Sequence, residues 1–567
     1  MSNILKSMQQ VTEIAGITIN RLEYPVRFVR RLLQCSTVFV IIAGGAACDH
    51  RGTDKDASGN GVRILRRGLP GEPRTLDPQL ADDNYSFQIV RDLYEGLTAE
   101  DPTGRVVPGV ANSWTVDDTG TIYTFQFRPD AKWSNGDHIV AAEFVQGMRR
   151  AVNPKTASGS AGLLTVIRGA SEIIAGRKNV AELGVTAIGD TSIRIELEHP
   201  APYLLQILSQ PIAAPVHMNA HQSISPSDYS IETSGNYNGA YTLVNRVPGS
   251  FIELERNPNY WDSSNVSIER VRYINAESET TELREYIAGQ LDMTFTIPLP
   301  DLSRVMQQFG AEVQIAPILG NLYLALNLSK LPLKDSAELR QALSMAIDRE
   351  QIAEQVMMGV TPAYAFVADG VSGYIAPRYE WAEWTRDRQL SIARSLYARA
   401  GYSDKNPLHL RLYFNSGESI QRIMLAIASS WKQNLGVISE LASEEFQVFL
   451  AGRKDRGRWD VTRLGWDADY DDPSSFLDLF SQGNSQNDPA YNSVLFNQLI
   501  DKARHEPESG TRMVLLHSAE EVLLNDYPII PIYFKRARRL VKPYVGGANI
   551  TPMNRTYTKN LYWKRVS

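Results

Sequence analysis

The segment WDVTRLGWDADYDDP, residues 459–473, holds one arginine, two tryptophans and five carboxylates in fifteen residues. Val461–Trp466 predicts a short strand, and Asp469–Pro473 predicts a polar loop after it. Arg463 carries a planar fork of donors that suits a carboxylate, and Asp469 carries an acceptor that suits an ammonium. Together they would hold a ligand with one charge of each sign at its two ends, such as a short peptide. An internal salt-bridge network in an acidic surface loop is the alternative.

Composition and charge narrow the class of protein. The chain has 567 residues, 43% of them hydrophobic, which suits several domains or one large multi-lobed body. The formal net charge is −6 and no basic stripe is present, so nucleic acid is not expected as a partner. The sequence has no phosphate-binding glycine loop and no HExxH or CxxC motif, so we predict no cofactor and no enzyme. A secreted hydrolase that uses paired carboxylates is the alternative.

Two histidines four residues apart, His217 and His221, have the spacing with which a helix seats a metal ion. Pro215 before them and the serine-rich run Ser223–Ser227 after them disfavour a stable helix at this place. We therefore predict no metal site at this pair.

Residues 1–47 predict a secretion signal, because three arginines at Arg27–Arg31 precede an apolar run, Leu32–Ala47, that ends in small residues. Cys48 follows directly and resembles the lipidated cysteine of a bacterial lipoprotein, although a larger aliphatic residue is usual at Gly45. Ordinary cleavage near Cys48 and an uncleaved anchor are the alternatives. Residues 48–61 predict a flexible tether. Cys48 is the only cysteine beyond the signal, so no disulfide is expected and the fold must depend on core burial.

Beyond the tether, strands and helices alternate, which predicts an α/β fold. The predicted strands are Val62–Arg67, Tyr123–Arg128, Ser192–Leu197, Val271–Asn275, Leu291–Phe295, Leu322–Leu328, Leu408–Phe414 and an edge-like Tyr527–Phe534. Asn238–Leu243 and Phe251–Arg256 predict a hairpin. The predicted helices are Asn84–Gly96, Ala141–Val152, Thr280–Gly289, Ser336–Met358, Ser391–Ala400 and Ser419–Leu435.

A series of motifs resembles the oligopeptide-binding proteins of bacterial ABC importers, in the peptide- and nickel-binding class of extracellular solute-binding proteins. The motifs are Pro108–Trp114, Tyr123–Asp137, Asn238–Leu243, Leu254–Asp262, Leu339–Glu350 and Gly465–Pro473. The tail, Arg539–Gly547 and Thr556–Asn560, is similar to the oligopeptide-binding branch. Each motif is weak alone, but their order from about Val62 to the C-terminus carries the resemblance.

The resemblance implies a two-lobed fold of the periplasmic-binding-protein type, with an extra domain inserted in the first lobe. Lobe I would consist of residues 62–94, 219–316 and 525–567, the inserted domain of residues 95–218, and lobe II of residues 317–524. Such a protein binds its ligand by closure of the lobes and does not turn it over.

The resemblance also assigns roles to residues of this chain. Asp469 matches the carboxylate that holds the α-amino group of the peptide, and Arg463 matches a cationic partner for the ligand carboxylate. Gly465 matches a backbone position along the peptide. The segment that pairs with the peptide main chain would be Asp82, Asp83 and Asn84, and the aromatics of the side-chain pockets would be Tyr323, Phe446 and Trp466.

Several positions depart from the family pattern. Met357 and Ile420 stand where the family has a lysine and a histidine for the carboxyl end of longer peptides. A disulfide of the family is missing at both of its positions, Gly320 and Asp467. We therefore expect a firm amino-end anchor, a thinned carboxyl-end set, and a second carboxylate, Asp467, that favours positive charge in the ligand.

The sequence thus predicts a monomeric, lipid-anchored receptor in the periplasm or on the outer face of the cytoplasmic membrane. Its partners would be short peptides and the permease subunits of an ABC transporter. A receptor for cell-wall peptides or another solute, and a surface interaction protein or chaperone without a transport role, are the alternatives.

Overall fold

The computed structural model describes residues 62–218 and 235–565. The predicted signal peptide, the tether, Cys48 and His221 lie outside the described residues. All described residues belong to one compact unit. No helix within these two ranges is both long enough and apolar enough to cross a membrane.

A four-stranded sheet forms around the predicted hairpin. Its strands, in spatial order, are Ile64–Leu69, Arg270–Asn275, Phe251–Arg256 and Tyr241–Val247. The first pair is parallel and the other two pairs are antiparallel. The hairpin prediction is confirmed, since Tyr241–Val247 pairs with Phe251–Arg256.

A second four-stranded sheet lies within the segment predicted as the inserted domain. Its antiparallel order is Ala111–Val116, Ile122–Phe127, Ser192–Glu196 and Val185–Ile188. Phe125, Ile193 and Phe144 of the helix Ala141–Val152 are all fully buried. Two further sheets consist of two short strands each. Thr98–Glu100 pairs with Val106–Pro108 in one, and Val545–Gly546 pairs with Tyr562–Trp563 in the other.

The largest sheet has six strands. Their spatial order is Thr361–Pro362, Ile529–Leu540, Val313–Leu326, Val461–Asp467, His409–Asn415 and Ile438–Glu444. The predicted edge-like strand therefore lies one position from the edge, because the two-residue strand Thr361–Pro362 pairs beside it. The central strand Val313–Leu326 is fourteen residues long, much longer than predicted, and only its second half is buried.

Helices cover the sheets. The longer ones are Asn84–Leu93, Ala141–Val152, Glu279–Ile287, Leu302–Phe309, Ala337–Ala346, Arg386–Arg399, Glu418–Leu435, Phe446–Gly452, Val494–His505 and Ser509–Asp526. The shorter ones are Ala170–Ile174, Leu204–Ile207, Arg349–Gln351 and Ser474–Leu477, and short 3-10 turns occur between them.

Two sequence predictions are wrong in detail. The single helix predicted over Ser336–Met358 ends at Ala346. Asp348 caps a new turn, since its carboxylate accepts a hydrogen bond from the N–H of Gln351. The side chain of Arg349 turns inward and donates to the carbonyls of Ala363 and Pro531. The strand predicted over Leu291–Phe295 is reduced to isolated bridges at Met293. The N–H of Arg66 donates a hydrogen bond to the carboxylate of Asp292, where a strand partner would offer a backbone carbonyl.

The buried side chains form two cores. The C-terminal core contains buried residues between Leu283 and Leu540. The N-terminal core contains residues between Leu65 and Met293, including those of the predicted inserted domain, together with Val541–Leu561 and Tyr470. Tyr470 is the exception to the order of the chain, since it follows a strand of the large sheet and yet packs in the opposite core. The predicted lobe boundaries stay predictions, because a shared core does not define a lobe.

Candidate functional site

A cavity of about 1070 Å³ lies between side chains of the two cores. One wall comes from residues 82–91, 158–174 and 198–210, with Met553 and Arg555 beside them. The other wall comes from residues 466–486 and 501–505. Ligand-binding cavities typically enclose about 300–1,000 Å³, so this one is large enough for an extended ligand such as a short peptide.

The strand Val461–Asp467 delivers the Trp466–Asp469 segment to the cavity. It pairs antiparallel with the central strand, with Asn321 opposite Trp466 and Gly320 opposite Asp467. The chain leaves the sheet after Asp467, and the N–H of Ala468 still donates to the carbonyl of Leu319 at 2.8 Å. The rigid sheet therefore fixes where the loop begins.

The backbone of Asp469 is held on both sides. Its N–H donates to Ser475 Oγ at 2.9 Å, and its carbonyl accepts from Gln210 Nε2 at 3.2 Å and from Arg555 Nη2 at 2.9 Å. These bonds join the loop to both walls of the cavity. The position of the side chain is set by contacts that do not use its carboxylate.

The carboxylate of Asp469 has no partner within residues 62–218 and 235–565: no side chain or N–H there donates to it. Burial raises its pKa to about 6, against the lowering influence of Arg555, and the charge of Asp467 adds to the rise. The side chain is half-buried. A carboxylate that is partly removed from water and has no donor is costly, and a ligand cation would relieve that cost. The side chain lines the cavity.

Asp467 lies beside this carboxylate and is itself paired. Its Oδ1 lies 2.8 Å from Lys535 Nζ, and its side chain is about half exposed. A β-carbon placed on Gly320 would come within 2.3 Å of the same oxygen, so the glycine leaves the space that the Asp467 side chain fills. The predicted second carboxylate is therefore present at the cavity, with part of its charge neutralised by Lys535.

Trp466 also lines the cavity, and it packs against the edge of the C-terminal core. Its Nε1 is buried, and no acceptor for this N–H is found in the described part of the chain.

On the opposite wall, Asp82 and Asn84 line the cavity, whereas Asp83 does not. Asp82 pairs with Arg74 at 3.0 Å. Asp83 caps the helix Asn84–Leu93, since its carboxylate accepts from the N–H groups of Tyr85 and Ser86 at 2.9 and 2.8 Å. The Asp83 carboxylate is therefore used to cap the helix, and it does not face the cavity.

Besides Asp83, four predicted site residues lie outside the cavity lining. Arg463 donates to Asn415 Oδ1 at 3.2 Å, and its Nε is buried without a partner among the described residues. Tyr323 is buried with its ring centroid 5.0 Å from that of Phe366. Phe446 is 45% exposed at the start of its helix.

Gly465 is the fourth of these residues. A β-carbon there would approach the carbonyl of Asn321 to 3.0 Å, so the close approach that needs a glycine is within the sheet itself. The carboxyl-end positions are apolar as expected, since Met357 is buried and Ile420 packs on the C-terminal core.

The sequence did not point to Gln210 and Arg555, which donate to the carbonyl of Asp469, or to Arg91, which contacts Gln210. Arg91 occupies the last turn of the helix Asn84–Leu93, where a cation is usually a solvated helix cap. Gln210 and Arg555 lie 259 and 86 positions from Asp469 along the chain. Only the fold brings them together, and no spacing in the sequence would have indicated it.

The described residues hold no group of three or more His, Cys, Asp or Glu side chains that could bind a metal ion. His217 is buried, and its Nε2 lies 3.0 Å from Asp137 Oδ2. Its role is structural, next to the ring of Trp133 at 5.1 Å.

Comparison with known proteins identifies the family. The model of "Bacterial extracellular solute-binding proteins, family 5 Middle" matches residues 105–488. The chain belongs to this family. It is 35% identical over 507 residues to the periplasmic oligopeptide-binding protein OppA of Escherichia coli, which covers 88% of this chain and 92% of OppA.

Two further relatives show the range of ligands in the family. The probable deoxycholate-binding periplasmic protein YgiS of Escherichia coli is 33% identical over 507 residues, covering 88% of this chain and 94% of YgiS. The structure of the Escherichia coli murein tripeptide binding protein MppA matches with a TM-score of 0.78 at 32% identity, covering 88% of this chain and 98% of MppA. The predicted family and the two-lobed α/β fold class are confirmed.

Proposed function

We propose that this protein is the substrate-binding receptor of a peptide ABC transporter, which captures short peptides with a free amino end and delivers them to a membrane permease. The observation that carries the proposal is the carboxylate of Asp469, which is half-buried in the wall of a peptide-sized cavity and accepts no hydrogen bond from the described residues. The 35% identity to an oligopeptide-binding protein over most of both chains supports the same reading.

Asp469 takes the ammonium of the peptide in this proposal. A charge-assisted hydrogen bond of this kind contributes about 1.5–3 kcal/mol, and a buried site keeps it from being screened. Trp466 lines the space beside the anchor, and Asp82 and Asn84 face the peptide from the other wall. Asp467 adds negative potential beside the anchor.

The cellular setting follows from the same proposal. The protein works in the periplasm or on the outer face of the cytoplasmic membrane, as a monomer held by a lipid on Cys48. It binds and releases its ligand without chemical change, since nothing in the mechanism calls for a nucleophile or a general base. Globomycin, an inhibitor of lipoprotein signal cleavage, tests the anchor: it should cause a precursor to accumulate, and a Cys48→Ala variant should accumulate as the same uncleaved precursor without globomycin.

Thermal melts of ligand-stripped protein with trialanine test the binding function. A ligand that binds the folded state alone raises the melting temperature by mass action. We expect a rise for the wild type and little or none for Asp469→Asn. Asp130→Asn is the matched control, because Asp130 is exposed and does not line the cavity. No rise with any di- to pentapeptide in the wild type would overturn the proposal.

A receptor for cell-wall peptides or another solute is the second candidate, favoured by the similarity to MppA and to YgiS. Mass spectrometry of the ligand that co-purifies with the protein separates the candidates. Short peptides of ordinary composition support the first proposal, whereas murein fragments or a steroid acid support the second.

A further inference from the structure

The charged side chains that line the cavity are mostly neutralised by partners. The ion pairs join Asp478 and Asp501 to Arg504, Asp82 to Arg74 and Asp467 to Lys535. Glu198 is exposed and accepts from the N–H of Gly169 at 2.6 Å. The two half-buried charges of the lining that lack an ion pair among the described residues are Asp469 and Arg91.

Arg91 is a half-buried cation at the cavity wall. Its Nε is buried and finds no acceptor in the described part of the chain. Its Nη2 makes one long contact, 3.4 Å to Gln210 Oε1, and its guanidinium lies 5.1 Å from the ring of Phe87. Burial lowers its pKa to about 10, and the charge of Arg555 adds to the lowering. The Arg91 guanidinium therefore has N–H donors without an acceptor among the described residues, and a carboxylate is the partner that such a group prefers.

The nearest carboxylate is already in use. Glu100 is paired with the guanidinium of Arg555, and it also accepts from the hydroxyl of Tyr557 at 3.3 Å. Arg91 and Arg555 therefore share one buried carboxylate between them. Once the charge of Asp469, which also acts on Arg555, is neutralised by a ligand, one positive charge of this cluster is left without a neutralising partner.

Gln210 joins this uncompensated cation to the amino-end anchor. Its Nε2 donates to the carbonyl of Asp469 at 3.2 Å, and its Oε1 is the atom that faces Arg91. A single amide side chain thus spans the two sites. When a ligand ammonium neutralises Asp469, the cluster of Arg91, Arg555 and Glu100 loses the negative charge that acts on Arg555.

We propose that Arg91 binds a carboxylate on the first or second residue of the peptide whose amino end Asp469 holds. The cavity would then prefer ligands with an acidic group next to the free amino group. The inference rests on the proposed function, because it needs a peptide at Asp469. It makes Arg91 a specificity-determining residue.

Isothermal titration of ligand-stripped protein with matched tripeptides tests this preference. The pairs are Ala-Glu-Ala with Ala-Gln-Ala and Glu-Ala-Ala with Gln-Ala-Ala, and Ala-Ala-Glu with Ala-Ala-Gln is the positional control. We expect the glutamate peptide of at least one of the first two pairs to bind ten-fold or more tighter, and the control pair to differ less than three-fold. Equal affinities within both of the first pairs would overturn the inference.

The variant Arg91→Gln identifies the residue responsible. Its preference for glutamate should fall below two-fold, while its affinity for the glutamine peptides stays within three-fold of the wild type; Arg91→Lys should retain part of the preference. A preference that persists in a folded Arg91→Gln protein contradicts the role of Arg91. Should that variant fail to fold, the wild-type comparison still decides the preference. If no peptide binds at all, the proposed function fails, whereas equal binding of both peptides removes only this inference.

Discussion

The ring of Tyr203 stacks on the ring of Tyr470, with centroids 4.1 Å apart and planes 5° from parallel. Tyr203 stands before the helix Leu204–Ile207 on one wall of the cavity, and Tyr470 follows Asp469 on the other. The N–H of Asp471 donates to Gln206 Oε1 at 2.5 Å close by. The anchor loop is therefore held against the opposite wall by an aromatic stack and a hydrogen bond.

Loss of this stack should weaken peptide binding. An aromatic pair contributes about 0.5–1.5 kcal/mol beyond its burial, so Tyr203→Ala should raise the Kd for trialanine about 2- to 10-fold by isothermal titration. Tyr203→Phe keeps the stack and should remain within about two-fold of the wild type. Equal affinities for Tyr203→Ala and wild type would show that the stack does not stabilise the bound form.

Peptide affinity should fall in acid because the anchor must be ionised. With a pKa of about 6, the Asp469 carboxyl is almost fully ionised at pH 7.5 and roughly a tenth ionised at pH 5. The peptide amino group stays protonated as pH falls, so the Kd should rise about tenfold between those values. In Asp469→Asn the residual affinity should lose this dependence. A flat profile for the wild type would contradict the assignment.

The same pKa predicts a stability effect in the ligand-free protein. Between about pH 4 and 6 the folded state keeps the proton on Asp469, whereas the unfolded chain has lost it. The contribution of this group to the free energy of unfolding therefore falls as pH rises through that window. Asp469→Asn should therefore raise the melting temperature at pH 7.5 and leave it nearly unchanged at pH 4. The control Asp130→Asn should change neither value, and a lower melting temperature for Asp469→Asn at pH 7.5 would contradict the unpaired carboxylate.

The buried pair Asp472–Arg512 holds the other end of the anchor loop. The guanidinium makes two bonds to the carboxylate, at 2.7 and 2.8 Å, and both side chains are about 5% exposed. Arg512→Met leaves a buried charge without a partner, which costs about 3–5 kcal/mol in urea denaturation.

Arg399→Met is the matched control for that variant. Its partner Glu338 and Arg399 itself are both half exposed. A surface pair contributes about 0–1 kcal/mol, so this variant should lose at most that much. Similar losses for the two variants would show that the burial of the Asp472 pair does not matter.

Local patterns in the sequence predicted most elements near the site. The strand Val461–Asp467 and the helix Ala141–Val152 follow from apolar period and stop signals, and the structure has both. The helix predicted through Ile347 breaks because Arg349 donates to the carbonyls of Ala363 and Pro531, which belong to later segments of the chain. Such tertiary acceptors leave no mark in the local pattern.

The site was predictable at one end. Asp469 was recognisable from its loop and from the family resemblance, and it lies at the cavity. The missing ion pair of Arg91 could not be predicted from the sequence. It depends on the ion pair between Glu100 and Arg555, and these two residues are far apart in the sequence. Charge balance at a cavity is a property of the fold.

Isothermal titration of the ligand-stripped protein with trialanine and with N-acetyl-trialanine tests whether Asp469 holds the amino end of the peptide. Acetylation removes the charge that Asp469 should bind and leaves the rest of the peptide unchanged. The account predicts that the free peptide binds at least tenfold tighter, and that Asp469→Asn removes the difference. Equal affinity of the two peptides for the wild type would contradict it.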